Sequence, residues 1–262
     1  MNIHKSVVDA LDDASEDWYK SILMTNKRQN ILLVACLNGR VAGFLHLYYG
    51  GGRGYIETIA VKEEFRGMGI GTELLFEAEK ILKRKGVETI KLNVKHSNLK
   101  ALIFYLKNGY SIDGVTMIMK GKVKELKREG EVKWRIVSLE EKRRLEGMTS
   151  TWWSMVTEKA DIEIYKYYKG EISLAAYDDK FCGIAEFETE RELYVDYMLV
   201  SYSNPSESLR TLIHGLRKYA EENGVEEIIV PVDSTKKLFL QTMIEEGFKI
   251  FDTEYRLSKD LD

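Results

Sequence analysis

Cysteine is scarce in this chain. Cys36 and Cys182 are two among 262 residues, and both lie in apolar, strand-like runs. Two such thiols make neither a disulfide framework nor a metal site. They read as reduced, buried side chains of a cytoplasmic protein. Histidine is scarce too: His4, His46, His96 and His214 are scattered without metal-ligand spacing, so no metal is expected. Long apolar runs are missing. The longest, residues 31–37, is far too short to span a bilayer. Residues 1–5 lack the apolar core of a signal peptide. Neither membrane association nor export is therefore expected. No charge of one sign dominates: 39 basic and 42 acidic side chains leave a formal net charge of −3, which is no footprint for nucleic acid. The basic stretch 80–85 reads as the solvated C-terminal end of a helix, where cations suit the dipole.

What is present is ample core material, 44% hydrophobic, in a length that suits one large or two ordinary domains. The chain also repeats itself. The apolar segments 31–44, which turn at Asn38-Gly39, correspond to 172–184, and Gly43 matches Gly183. Residues 55–61 correspond to 194–200. Gly86-Val87-Glu88 matches Gly224-Val225-Glu226, and Gly109-Tyr110 matches Gly247-Phe248. Residues 120–131 alternate both charge signs around Gly121 and Gly130, and read as a solvated connector. Two tandem domains are expected, 1–125 and 131–262. The fold class is α/β (α+β), each domain a mixed, largely antiparallel sheet flanked by helices.

The first copy carries Arg66-Gly67-Met68-Gly69-Ile70-Gly71-Thr72 between a strand rich in β-branched and aromatic residues, 55–61, and an amphipathic helix built on Ile70, Leu74, Ala78, Ile81 and Leu82. Strand, glycine-rich turn and helix N-terminus together aim backbone N–H groups at a phosphate. The segment does not end in Gly-Lys-Ser/Thr, as a nucleotide P-loop would. Its glycines alternate, so it is not the G-x-G-x-x-G dinucleotide pattern. Downstream, after an alternating strand at 89–94, comes Asn98-Leu99-Lys100-Ala101-Leu102-Ile103-Phe104-Tyr105-Leu106-Lys107-Asn108-Gly109-Tyr110. Seven residues are about two helical turns, which puts Asn98, Ala101 and Tyr105 on one face. Leu99, Leu102, Ile103 and Leu106 are then expected to face the sheet.

These two segments, in this order, resemble the acyl-CoA-binding signatures of the GNAT superfamily of acyl-CoA-dependent N-acetyltransferases, over residues 25–122. The resemblance implies acetyl-CoA as co-substrate, its pyrophosphate on Arg66 to Thr72. It implies pantetheine paired with the strand backbone at Ile59, Ala60 and Val61, and bonded by Asn98. It implies Tyr105 as the group that serves the departing thiolate. The thioester oxygen needs a preorganised N–H, which Ile59 or Ala60 would supply. The acceptor amine needs a base, since an amine of pKa about 10.4 is almost wholly protonated at neutral pH. Glu57 is the candidate, because alternation puts it on the strand face of Ile59 and Val61; His96 is the rival.

The second copy has Ser203-Asn204-Pro205-Ser206-Glu207-Ser208 in place of the glycine loop, Lys236 in place of Asn98, and Met243 in place of Tyr105. It is expected to be a degenerate partner that supports the first. The reading is an N-acetyltransferase acting on a primary amine, either a small molecule or a protein N-terminus or lysine. The chain would be a monomer with pseudo-dimeric halves or a homodimer. A non-catalytic acyl-CoA sensor or an interaction scaffold are the alternatives. Trp18, Tyr19, Trp152, Trp153, Tyr165, Tyr167 and Tyr168 are candidates for an acceptor wall, or for ordinary packing.

Overall fold

The computed structural model describes residues 20–22, 24, 29–128, 132–137, 148–152, 172–178, 180–189 and 191–261. By contact the chain divides into two compact units. Of the described residues, one unit holds those up to Asp113 and those from Arg256 onward, and the other holds the rest.

The first unit opens as an antiparallel meander: β1 (Asn30–Leu37), β2 (Arg40–Gly50) and β3 (Arg53–Val61). Asn38 and Gly39 both take positive φ, 50° and 75°, the two-residue turn whose twist matches a hairpin. Helix α1 (Ile70–Arg84) follows, then β4 (Thr89–Lys95), parallel to β3, then α2 (Leu99–Lys107). Leu74, Leu75, Ala78 and Leu82 form the buried face of α1. β5 (Ser111–Lys122) gives this unit only its first three residues. Beside β4 lies β12 (Lys249–Asp260), whose end belongs to the same unit. The Leu261 N–H donates to the Glu88 carbonyl at 2.7 Å, and Lys259 Nζ reaches Glu79 at 2.7 Å and the Asn108 carbonyl at 3.0 Å. Arg256 Nε bonds Asp113 at 2.7 Å, and Lys91 also bonds Asp113. Burial alone would raise the Asp113 pKa, but these two cationic donors outweigh it and hold the carboxyl below its ordinary value.

The second unit takes β5 from Gly114 on. It adds β6 (Lys133–Ile136), β7 (Met148–Ser150), β8 (Ile172–Asp178), β9 (Lys180–Thr189), β10 (Leu193–Ser201), α3 (Pro205–Glu222), β11 (Glu227–Asp233) and α4 (Lys237–Glu245). Its strand order is β5-β11-β10-β9-β8-β6, with β7 paired to β10. The β10–β11 pair is parallel, and the others given are antiparallel.

The internal repeat survives in fine detail. A Cβ on Gly43 would lie 2.5 Å from the Ala60 carbonyl oxygen. One on Gly183 would lie 2.5 Å from that of Leu199, so both sites admit only glycine. β3 and β10 also carry the same irregularity. His46 pairs with Thr58 and Leu47 with Ile56, which leaves Glu57 as an extra residue. Glu186 pairs with Tyr197 and Phe187 with Val195, which leaves Asp196 as the extra residue. Each is a β-bulge with a carboxylate at its point.

Three expectations need correction. Leu99, Ile103 and Leu106 do not face the sheet: they are 60%, 51% and 43% exposed, and Tyr105 is buried instead. The helix is turned so that Phe104 packs on Gly71 and the Tyr105 ring meets Tyr110 edge-on at 5.6 Å. Aromatic contacts have overridden the aliphatic stripe. Cys36 is exposed, because it lies beyond a bulge near the end of the edge strand β1, whereas Cys182 is buried. The stretch from residue 120 is not a solvated connector at its start. Lys120 and Gly121 belong to β5, and Val123 and Leu126 are core. No helix among the described residues is long and apolar enough to cross a membrane.

Candidate active site

β3 and β4 pair over only three positions, Arg53 with Thr89, Gly54 with Ile90 and Tyr55 with Lys91. Both strands run on, but their pairing stops. Among the described residues, no strand takes up the edge of β3 from Ile56 to Val61 on that side. This open edge carries Ile59, Ala60 and Val61, and it begins at the bulge of Glu57. Backbone N–H and C=O groups left so are a template for an extended ligand.

The glycine segment stands at the end of that edge. Gly67 and Gly69 take φ of 78° and 80°, and a Cβ at either would meet nothing, so conformation and not space requires glycine there. Gly69 is the N-cap of α1, and no side chain caps this end. The first-turn N–H groups of Ile70, Gly71 and Thr72 therefore keep their hydrogen-bonding capacity and the positive end of the helix dipole. Gly71 differs: its virtual Cβ lies 3.3 Å from the Phe104 ring and 3.8 Å from Val61, so even a methyl there would need the ring to give by a few tenths of an ångström, and a long side chain more. Arg66 is exposed, and its Nε donates to the Val61 carbonyl at 3.1 Å, which ties the loop to the strand end. Met68 is exposed as well. This geometry presents an anion cradle beside an open strand edge.

Asn98 stands just before the helix that carries Tyr105. It is the N-cap of α2, with φ −89° and ψ 66°, and its Oδ1 accepts from the Ala101 N–H at 3.1 Å. Its amide nitrogen keeps both donors, and its oxygen keeps one further lone pair. Tyr105 is buried, and burial pushes its hydroxyl pKa upward. The phenol stays protonated at every ordinary pH and is a standing hydrogen-bond donor. Glu57 is exposed at the bulge, and the bulge interrupts the alternation that groups it with Ile59 and Val61. His96 is exposed in the turn after β4. Val61, Arg66, Gly71 and Phe104 are thus brought together by β3, α1 and α2, and the Tyr105 ring lies against those of Phe104 and Tyr110. Among the described residues, no group of three or more His, Cys, Asp or Glu side chains could hold a metal ion.

The corresponding place in the second unit is filled by the chain itself. β10 and β11 pair at only Leu193 with Ile228 and Tyr194 with Ile229. Beyond this fork β7 enters: Ser150, Thr149 and Met148 pair with Leu199, Val200 and Ser201. Thr151 then bridges the fork, its N–H donating to the Met198 carbonyl at 3.0 Å and its carbonyl accepting from the Asp233 N–H at 3.0 Å. Leu199 and Val200 are the counterparts of Ala60 and Val61. Lys236, the counterpart of Asn98, reaches Thr149 on the inserted strand at 3.4 Å. α3 begins with Pro205, which has no N–H, and its first turn carries Glu207 in an ion pair with Arg210. Sequence reasoning found the lost loop but not the inserted strand, because three residues of β7 carry no legible period.

The bulge of this unit also holds polar groups that the sequence did not announce. Glu186 is fully buried, bonded by the Ser173 hydroxyl at 2.7 Å and by the Tyr197 hydroxyl. Burial, and then the charge of Asp196, push its pKa well up. Trp152 Nε1 donates to the Asp196 carbonyl at 2.7 Å. That is the place of one expected acceptor-wall aromatic; Trp18, Tyr19, Trp153, Tyr165, Tyr167 and Tyr168 lie outside the described residues.

Comparison with known proteins gives the family. The family model described as Acetyltransferase (GNAT) family matches residues 4–110. A spermidine N(1)-acetyltransferase of Thermoplasma acidophilum is 31% identical over 113 residues, 42% of this chain and 70% of that one. An uncharacterised N-acetyltransferase of Methanocaldococcus jannaschii is 33% identical over 111 residues, 39% of this chain and 71% of that one. In fold the chain is similar to a tandem GNAT protein from the clavulanic acid biosynthesis pathway. The TM-score is 0.64 at 13% identity, with 97% of this chain and 91% of that one covered. It is also similar to a GCN5-related N-acetyltransferase from Anabaena variabilis, with a TM-score of 0.65 at 16% identity, over 100% of this chain and 69% of that one. With the anion cradle, the open strand edge and this kinship in view, the chain is an N-acetyltransferase of the GNAT family, built as a tandem.

Proposed function

We propose that the first copy, residues 1–125 in the sequence repeat, transfers an acetyl group from one bound acetyl-CoA to a primary amine, and that the second copy, 131–262, binds none. The observation that carries this reading is the contrast between two forks: the edge of β3 is open beside an uncapped, glycine-built helix end, and the edge of β10 is occupied by β7.

In this reading the pyrophosphate rests on residues 66–72, with Arg66 moving from the Val61 carbonyl to the phosphate. Pantetheine pairs with Ile59 to Val61, and the Asn98 amide bonds the arm. The amine nitrogen attacks the thioester carbonyl carbon while Glu57 takes its proton. The N–H of Ile59 or Ala60 stabilises the oxyanion. The C–S bond then breaks, and Tyr105 donates a hydrogen bond to the leaving thiolate. A phenol is already a weaker acid than a thiol, about 10 against 8.5, and burial widens the gap. Tyr105 therefore acts mainly as a hydrogen-bond donor, with late proton transfer. The similarity to a spermidine acetyltransferase supports a small amine as acceptor.

Calorimetric titration with acetyl-CoA tests the reading, with a stoichiometry near one expected. Thiol release with a panel of amines tests the transfer. Two comparable sites would overturn the single-site reading, and binding without turnover on any amine would replace it with the sensor reading.

A further inference from the structure

His46 sits on β2 directly across from Thr58, one residue from the bulge of Glu57. It is 1% exposed, and its Nε2 has no hydrogen-bond partner among the described residues. The edge of its ring meets Tyr48 at 4.7 Å between centroids. Burial lowers its pKa to about 3, so the imidazole is neutral and one ring nitrogen is a free acceptor or donor. Buried polar atoms without partners are rare because they are costly, and each calls for an explanation.

The second unit shows what the same place looks like when it is satisfied. Glu186 occupies the position of His46 in the repeat. Ser173 stands across from it where Leu32 stands across from His46, and Tyr197 stands where Thr58 does. Both carboxyl oxygens of Glu186 are bonded, one by Ser173 and one by the Tyr197 hydroxyl. In the first unit serine has become leucine and tyrosine has become threonine. The two hydroxyl partners are gone. Neither hydroxyl bond to Glu186 has a counterpart at the paired positions of the first unit, where the His46 Nε2 has no partner among the described residues.

We propose that His46 is an acceptor-binding residue, its Nε2 taking a hydrogen bond from the nitrogen of the amine beside the bulge of β3. The proposal rests on the acyl-transfer reading of the first copy. It gives the amine two contacts with different tasks: His46 holds the nitrogen, and Glu57 removes its proton. A neutral imidazole suits the first task, since a cationic one would repel an ammonium group.

The test uses the full chain with saturating acetyl-CoA and thiol-release detection on spermidine, putrescine, propylamine and glycinamide, the fastest of the four serving as probe. His46→Phe should raise KM for that amine at least tenfold and leave acetyl-CoA affinity within twofold. Its melting temperature should equal or exceed that of the parent, because the unpartnered nitrogen has been removed. A histidine kept for structure would show the reverse, a lower melting temperature and an unchanged KM. His46→Gln, which restores a polar atom at similar reach, should recover KM to within about threefold. If phenylalanine is too large to fold, His46→Leu repeats the test. If both unfold the protein, or KM stays within twofold, the proposal fails. A parent protein that turns over none of the four amines overturns the acyl-transfer reading itself, and this proposal with it.

Discussion

The two forks of this molecule are built on one plan and put to opposite ends. In each, a parallel pair of strands stays together for two or three positions and separates two residues before a bulge that carries a carboxylate. In the first unit the fork is left open and a glycine loop stands at its mouth. In the second the chain has closed it with three residues of β7, tied across by Thr151 and gripped by Lys236. A strand edge must be satisfied by something. The comparison teaches that an open strand edge and a covered one can stand at the same place of a repeated fold, and that the covering can be as little as three residues of strand.

That comparison can be broken most severely by removing the end of β12. A chain stopped after Tyr255 lacks Arg256, Lys259 and Leu261, hence the bonds to Asp113, Glu79 and Glu88 that close the first unit. It should lose acetyl transfer altogether and be largely insoluble, although the glycine loop is intact. Soluble, active protein from that truncation would show that the first unit needs no closing strand. Next in size is the double variant Gly69→Glu with Gly71→Glu. It places two carboxylates in the anion cradle, one at a φ of 80° and one against the Phe104 ring. Acetyl-CoA affinity should fall by about 100-fold or more, roughly 3 kcal/mol. Retention of the parent titration curve would move the site elsewhere.

Tyr105→Phe removes one hydroxyl and keeps the ring. The kcat should drop at least about tenfold, and acetyl-CoA affinity should stay within a few-fold, as expected of a contact made in the transition state. Unchanged kcat, where chemistry limits turnover, would leave Tyr105 as packing against Tyr110. The smallest effects concern pH. The folded pKa of His46 is depressed, so its share of stability is full above about 6.5 and is lost as pH falls toward about 3. The folded pKa of Glu186 is raised, so the folded state holds a proton that the unfolded chain gives up, and stability declines as pH rises above about 4.5. Glu186→Gln should flatten the alkaline side of a melting-temperature profile by a few degrees and leave the acid side alone. His46→Phe should do the opposite. If neither side moves, the two groups are less buried in solution than their surroundings imply.

Much of the first unit was legible in its sequence because the signals were local. Alternation marked β4, and Asn38-Gly39 fixed a hairpin. Gly67 and Gly69 announced positive φ. The repeat was legible because the fold-determining positions, such as Gly43 and Gly183, have no alternatives. What failed was non-local. The stripe of Leu99, Ile103 and Leu106 has the spacing of a core face, but Phe104 and Tyr105 won the interior, and spacing does not say which of two faces has the better partner. The N-cap role of Asn98 was not read at all, although asparagine is a favoured cap. The bulges at Glu57 and Asp196 left no mark, since an extra residue changes register only against a partner strand. His46 was passed over for the same reason: its lack of a partner is a property of its neighbours.

The closing of the first unit by residues 256–260 has a consequence in time. Asp113 waits 143 positions along the chain for Arg256, and Glu79 waits 180 for Lys259. Contacts so distant in sequence slow folding, because loop-closure entropy must be met before they form. During synthesis the meander, α1 and α2 emerge first, yet β4 keeps a bare edge until nearly the whole second copy has been made. A bare edge is an invitation to neighbouring chains. The first unit thus closes only after residues 256–260 have been made, later than the strands and helices of the second.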